Sequence, residues 1–116
     1  MDRDPRAYLW DAKESADAIT EFVRGRTLEQ YLDDPMLRSA VERQFGIIGE
    51  ALRQLEKFAP GVAREIPELP DAIAFRNMVI HGYREIDHLI VWRTMQESLP
   101  ALRDRLTSLL DRLGSG

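Results

Sequence analysis

Apolar residues recur along most of the chain at alternating spacings of three and four, the pattern of helices with one buried face. The first such stripe follows Asp4-Pro5, a cap residue and a first-turn proline, and Gly25 ends it. Its members are Leu9, Ala12, Ala16, Ile19 and Val23. The pattern predicts a first helix between these two signals.

The second stripe is longer and follows Asp34-Pro35, which repeats the cap-and-proline signal. Its members are Val41, Phe45, Ile48, Leu52, Leu55 and Ala59. Gly46 and Gly49 lie within this helix, where the lack of a side chain would let another helix approach closely. Just before it, residues 27–30 (TLEQ) have the form of a capping box and predict one extra short helix.

The second half of the chain contains two more helical patterns. Pro60-Gly61 and the prolines at 67 and 70 break the chain into a connector. The third helix is predicted from about Asp71 to His81, with Gly82 as its end.

The fourth helix is predicted to start at Asp87. Pro100 lies inside it, removes one backbone donor and is expected to kink it. Its stripe consists of Trp92, Met95, Leu99, Leu102, Leu106, Leu109 and Leu113.

No period-two strand pattern or internal repeat is visible in the 116 residues. The sequence therefore predicts an all-α fold, an antiparallel four-helix bundle with one extra short helix, as a single domain over residues 1–116. No apolar run approaches the roughly 20 residues of a membrane span, and no signal peptide is visible. The absence of cysteine fits a cytoplasmic location.

The net charge of −4 does not favour nucleic-acid binding by the molecule as a whole. Its basic residues are 14 arginines and 2 lysines, however, and arginine is the better fork for phosphate. A local arginine cluster could therefore still bind RNA.

Polar side chains interrupt the apolar third helix over residues 76–83 (RNMVIHGY). On a helical wheel with Ile73 at zero, Ile80 lies near 340° and Arg76 near 300°, inside the apolar arc. A charged side chain there must be paired internally, or must open into a groove or a subunit interface.

Two interpretations of this arginine stay open. In the structural one, Arg76 forms a salt bridge to another helix, with Glu50 as candidate partner, and Asn77 and His81 make local hydrogen bonds. In the catalytic one, Arg76 clamps a phosphate and His81 is the general acid or base, since the pKa of histidine lies near neutrality. Their spacing puts the two on different faces of a straight helix. The two side chains would meet only if the long arginine side chain reached around the helix, if the helix ended at Gly82, or if they came from two subunits across a dimer axis.

Other residues give weaker signals. His88 is interpreted as a solvated residue in the first turn of the fourth helix. Two histidines without cysteine, an HExxH motif or paired acids give no metal signature, so no metal cofactor is expected. Trp10 and Trp92 could each belong to the core or to an interface.

Residues 76–83 match the R-x4-H-x-Y signature, with asparagine after the arginine, of the HepT-like branch of the HEPN (higher eukaryote and prokaryote nucleotide-binding) superfamily. Residues 48–51 (IGEA), Ile86-Asp87 and the segment from Val91 to Pro100 are similar as well. The chain thus resembles this family over essentially its whole length, with no departure at the motif positions.

This resemblance implies a metal-independent endoribonuclease, of the nuclease and hydrolase class. The substrate 2′-OH would attack the neighbouring phosphorus, leaving a 2′,3′-cyclic phosphate and a 5′-OH. Arg76 would hold the phosphate, His81 would assist proton transfer, and Asn77 would orient the phosphate or the histidine. The family dimerises with its motif helices facing, so a homodimer with one shared cleft is expected. Further candidates for RNA contact are Arg43, Arg53 and Arg84.

The resemblance also implies a toxin of a type II-like toxin–antitoxin system. Its partner would be a minimal nucleotidyltransferase, MntA, which transfers AMP from ATP onto the motif tyrosine, here Tyr83. The partner, and not this chain, would use ATP. The alternative is a non-catalytic helical partner or substrate-binding subunit of a nucleotidyltransferase, which would not need an intact Arg76/His81 pair. A DNA-binding regulator is not supported, because no helix-turn-helix or basic stripe is present.

Overall fold

Four long helices and two short ones make up the computed structural model, which describes residues 3–81 and 86–114. They are α1 (Pro5–Val23), α2 (Leu28–Asp33), α3 (Pro35–Phe58), α4 (Pro60–Ala63), α5 (Leu69–His81) and α6 (His88–Leu113). The described residues contain no strand. The predicted all-α fold is therefore confirmed.

Side-chain caps start the helices at the places that the sequence predicted. The Asp4 carboxylate accepts from the backbone N–H of Arg6, and the Asp34 carboxylate accepts from that of Leu37. The predicted capping box at the start of α2 is complete in both directions. Asp87 caps α6 by accepting from the first N–H groups of that helix. Each cap satisfies donors that have no partner inside their own helix.

The connector between α3 and α5 differs from the prediction. It contains a second short helix, α4, which is one turn long and was predicted as a break. Helix α5 begins at Leu69, two positions before the predicted start, because Pro70 occupies its first turn, where a missing N–H costs nothing. Pro100 lies inside α6, which continues to Leu113. The predicted end of α5 at Gly82 lies outside the described residues.

Helix α3 is the centre of the packing, since α1 and α5 both lie against it and α6 packs on α1. The apolar stripes predicted for α1, α3 and α6 supply most of the core. Fully buried members include Leu9, Ile19, Val41, Leu52, Leu55 and Leu106. Among the described residues, no helix is both long enough and apolar enough to cross a membrane.

Helix α5 is apolar but poorly covered. Leu69, at its start, is its one buried residue, and Ile80, near its end, is 45% exposed. Its remaining apolar side chains include Ala72, Ile73 and Phe75, which are half-buried and pack against the edge of the core. A helix that is apolar on more than one face and covered on one side has surface available for another partner.

Candidate functional site

Helix α5 crosses α3 at Gly49, and the residue of α5 that lies there is Arg76. A Cβ at position 49 would overlap Cβ and Cγ of Arg76 and would lie 3.2 Å from the backbone oxygen of Ala72. Gly49 therefore permits this close approach, as predicted. The same prediction is wrong for Gly46 within the described part of the chain, because a Cβ there would meet none of its neighbouring elements within 4 Å.

The guanidinium of Arg76 is held by one residue of α3 and one of its own helix. Its Nη2 lies 3.2 Å from Oε2 of Glu50, and its Nη1 donates to Oδ1 of Asn77 at 3.0 Å. The Arg76 side chain is 20% exposed. The predicted pairing of this arginine, including the choice of Glu50, is thus confirmed. Asn77 accepts a hydrogen bond from the arginine, and its role in orienting the phosphate or the histidine stays a prediction.

Glu50 is itself fixed on both sides. Its Oε1 accepts from Nε2 of Gln54 at 2.9 Å, one turn further along α3. Its Oε2 lies 3.6 Å from Nη1 of Arg53, whose side chain is 58% exposed. One carboxylate therefore faces two arginines, one half-buried and one on the surface. Gln54 was not singled out by the sequence, although its spacing from Glu50 is the usual helical i, i+4 pairing.

The donors of Arg76 are only partly used. Among the described residues, its Nε is buried without a hydrogen-bond partner, and Oε2 of Glu50 is buried without a well-aligned donor. The 3.2 Å contact between Nη2 of Arg76 and Oε2 of Glu50 is thus mainly ionic. A guanidinium has five N–H donors, so Arg76 keeps the capacity to bind an anion after both contacts are made.

His81 is the last residue of α5 and is exposed. Because α5 is helical through both residues, a position five residues after Arg76 is turned by about 140° around the axis. The predicted convergence through an end of the helix at Gly82 lies outside the described residues. Within one protomer, Arg76 faces α3 while His81 faces outward.

Two of the other predicted RNA contacts, Arg53 and Arg43, lie near Glu50. Arg53 contacts the same Glu50 oxygen as Arg76 does, at 3.6 Å. Arg43 lines a surface groove of about 590 Å³, which also includes Glu50 and, from α5, Val79 and Ile80. Both Arg84 and the predicted acceptor Tyr83 lie outside the described residues.

A second polar cluster joins α2, the first half of α3 and the start of α6. Nδ1 of His88 lies 2.8 Å from the hydroxyl of Tyr31, and its Nε2 lies 3.5 Å from Oε2 of Glu42. The His88 side chain is 19% exposed and the Tyr31 residue is completely buried. The interpretation of His88 as a solvated residue is therefore wrong. Trp92 is half-buried against Tyr31, whereas Trp10 is 52% exposed.

Burial sets the protonation states of this cluster. It raises the pKa of the Tyr31 hydroxyl, and the Glu42 carboxylate adds to the effect. It lowers the pKa of His88, although Glu42 opposes that shift. A neutral imidazole with its proton on Nε2 fits both contacts, because Nδ1 can then accept from Tyr31. The 3.5 Å contact of Nε2 with Glu42 at neutral pH is consequently a weak contact of a neutral imidazole with a carboxylate, and not an ion pair.

Within the described residues, no group of three or more histidine, cysteine, aspartate or glutamate side chains could hold a metal ion. The prediction that the chain needs no metal concerns its chemistry and is not tested by this geometry.

The helical fold and the residues of α5 define a small all-α protein with a half-buried arginine next to its central helix. The chain belongs to the Ribonuclease HepT-like family, whose model matches residues 12–109. This confirms the family assigned from residues 76–83, and with it the ribonuclease class. No solved structure matches the chain.

Several curated proteins are similar over nearly their whole length. "Probable ribonuclease HepT" of Thermococcus cleftensis is 32% identical over 111 residues, covering 94% of this chain and 98% of the relative. "Putative RNase MJ1380" of Methanocaldococcus jannaschii is 32% identical over 103 residues, covering 87% and 92%. "Putative RNase TTE0752" of Caldanaerobacter subterraneus is 29% identical over 108 residues, covering 93% and 96%.

Proposed function

We propose that this chain is a metal-independent endoribonuclease toxin that cleaves RNA by attack of the 2′-OH on the adjacent phosphorus. The observation that carries the proposal is the Arg76 guanidinium, which Glu50 and Asn77 hold through its two Nη atoms and which has further Nη hydrogens. A fixed guanidinium with spare donors is suited to bind a phosphate and to stabilise the charge that develops on its oxygens. Membership of the HepT-like family supports the same substrate class.

The proposed reaction needs two proton transfers. A base removes the proton of the 2′-OH as its oxygen bonds to phosphorus, and an acid protonates the 5′-oxygen as the P–O5′ bond breaks. The products are a 2′,3′-cyclic phosphate and a 5′-OH. His81 is exposed at the end of α5, where an imidazole can reach a substrate and can act as acid or base.

The site is proposed to be completed in a homodimer. Arg76 and His81 point in different directions in one protomer, so each could meet its counterpart from a second copy packed against α5. The incompletely covered apolar surface of α5, including the exposed Ile80, supports this arrangement. Two copies would bring two histidines to one cleft, one for each proton transfer. Arg43, Arg53 and Arg84 remain the proposed additional RNA contacts.

Neutralisation is proposed to occur by AMP transfer from a nucleotidyltransferase antitoxin of the MntA type. The phenol oxygen of Tyr83 would attack the α-phosphorus of ATP, lose its proton and displace pyrophosphate. The added phosphate would bring a negative charge to residues 76–83, where the substrate phosphate must bind. The partner would use ATP, and this chain would need no cofactor.

Cleavage of a labelled single-stranded RNA, with analysis of the product ends, tests the proposed function. We expect 2′,3′-cyclic phosphate and 5′-OH ends, and the same rate with and without EDTA. Cleavage that requires a divalent metal, or products with 5′-phosphate ends, would contradict the mechanism. Absence of cleavage by the purified dimer would favour the alternative, a non-catalytic helical partner of a nucleotidyltransferase.

A further inference from the structure

The phosphate-binding arginine needs a fixed orientation to be useful. An arginine side chain is long and has many rotamers, and its planar guanidinium matches a phosphate only when two of its donors point at the anion. Holding it before substrate binds removes that ordering step from the reaction. A residue of this chain must therefore keep the guanidinium of Arg76 in one orientation.

Glu50 is the residue that meets this requirement. Its Oε2 lies 3.2 Å from Nη2 of Arg76, and it is the contact that ties the guanidinium to another helix. Asn77, the other contact, is the next residue of α5 and is exposed, so it cannot by itself fix the arginine relative to α3. Gly49, the neighbour of Glu50, lets α5 lie close enough for the contact.

The carboxylate of Glu50 is also prevented from turning away. Its second oxygen, Oε1, accepts from Gln54 at 2.9 Å, so rotation toward solvent would break a hydrogen bond within α3. The two contacts of Arg76 are a hydrogen bond from Nη1 to Asn77 and an ionic contact of Nη2 with Glu50. A guanidinium carries two hydrogens on each of these nitrogens, so one on each stays available for a phosphate oxygen.

We infer that Glu50 is a positioning residue for the proposed ribonuclease reaction, which holds the Arg76 guanidinium in the orientation that binds the scissile phosphate. The inference rests on the proposed function. Glu50 does not contact the substrate in this scheme and acts only through Arg76. Its negative charge opposes phosphate binding, so its contribution is to orientation, and loss of Glu50 should lower kcat without raising KM.

Steady-state cleavage by two variants of the chain tests the hold that the ionic contact supplies. Glu50→Ala removes the contact, and we expect kcat to fall about 10- to 100-fold with KM unchanged or lower. Glu50→Gln keeps the shape of the side chain and removes the charge that makes the contact, and we expect it to lose kcat in the same way. Glu56→Ala is the matched control, because Glu56 is an exposed carboxylate of the same helix, and it should behave as wild type.

Each outcome decides the inference. A folded Glu50→Ala variant with wild-type kcat overturns it, as does an equal loss in Glu56→Ala. If Glu50→Ala does not fold, Glu50→Gln and ¹⁵N spectra of the wild-type arginine side chains decide. A held guanidinium gives separate Nη–H signals for Arg76, and averaged signals would contradict a positioning role. Failure of the proposed function is distinguishable, because then the wild type would show no cleavage that His81→Ala removes.

Discussion

Gly49 and Arg76 lie in direct contact, backbone against side chain, at the point where α5 crosses α3. The contact involves Cβ of Arg76, which is attached to the backbone and cannot swing aside as the end of a flexible side chain can. It fixes the separation of the two helices. The ion pair of Arg76 with Glu50, the next residue after Gly49, depends on that separation.

Gly49→Ala should therefore destabilise the protein. The added methyl group forces α5 away from α3, at a cost of about 1–3 kcal/mol typical of overpacking, which outweighs the gain of up to about 1 kcal/mol from replacing glycine in a helix. Gly46→Ala is the control: it has open space at its Cβ and should stabilise by about 0.5–1 kcal/mol. Urea unfolding of both variants makes the comparison. Equal stability of the two would show that the helices are not in contact at Gly49.

Local signals made most of the fold predictable. Caps such as Asp34 and the apolar spacing of α3 involve residues a few positions apart, so the sequence shows them directly. The pairing of Arg76 with Glu50 was also predictable from the sequence, because a charged side chain inside an apolar arc needs a partner on the facing helix. Helix α4 was not, since a single turn leaves no periodicity.

The cluster of Tyr31, His88 and Glu42 could not be predicted for a different reason. Tyr31 and His88 are 57 positions apart, and their contact exists only because α2 and the start of α6 meet against α3. No spacing in the sequence encodes that meeting. The sequence predicted a solvated His88 because the residue lies in the first turn of a helix. Its burial results from contacts with residues that are distant in the sequence.

Alanine substitutions of Arg76 and His81 should both reduce cleavage, but only the substitution of Arg76 should lower stability. His81→Ala should leave stability within about 0.5 kcal/mol of wild type, because the residue is exposed, and should reduce cleavage by about 10²- to 10⁴-fold. Arg76→Ala should abolish cleavage as well and cost about 1–3 kcal/mol, because it removes the nearer of the two cations from the buried oxygen of Glu50 and leaves the exposed Arg53. Thermal unfolding together with a cleavage assay measures both. Full activity of His81→Ala would contradict its assignment.

The proposed dimer predicts that charge on the open surface of α5 disrupts assembly. Ile80→Asp should change little in the isolated protomer, since Ile80 is 45% exposed, but should shift the protein from dimer to monomer at micromolar concentration. Leu113→Asp, at the end of α6, is a control of similar exposure, 38%, and should remain dimeric. Light scattering gives the masses. A wild-type monomer, or a dimer untouched by Ile80→Asp, would count against the proposed interface.

Tyr83→Phe should escape inactivation by the antitoxin. Phenylalanine lacks the oxygen that is proposed to attack ATP, so the variant should cleave RNA and should keep this activity after incubation with the cognate nucleotidyltransferase and ATP. Intact-mass spectrometry should find AMP on the wild type and none on the variant. AMP on another residue, or on Tyr83→Phe itself, would refute the assignment of the acceptor.

Stability at mildly acidic pH should depend on His88. Its pKa in the folded protein lies below the ordinary value of 6.5, because burial disfavours the imidazolium, and Arg38 acts in the same direction while Glu42 and Asp87 oppose it. The unfolded chain therefore binds the proton more readily than the folded protein does.

The sign of the pH effect follows from this difference. Stability due to neutral His88 is present above about pH 6.5 and is lost as pH falls through the folded pKa, with a slope of at most about 1.4 kcal/mol per pH unit for one proton. Protonation also places a hydrogen on Nδ1, so the Tyr31 hydroxyl, which donates to the neutral ring, must accept in this hydrogen bond and its own buried proton loses that acceptor. Urea unfolding at pH 7.5, 6.5 and 5.5 should show a steeper loss for wild type than for His88→Gln, which has no titrating group at this position. Parallel profiles for the two proteins would mean that His88 keeps its ordinary pKa and that burial does not hold it neutral.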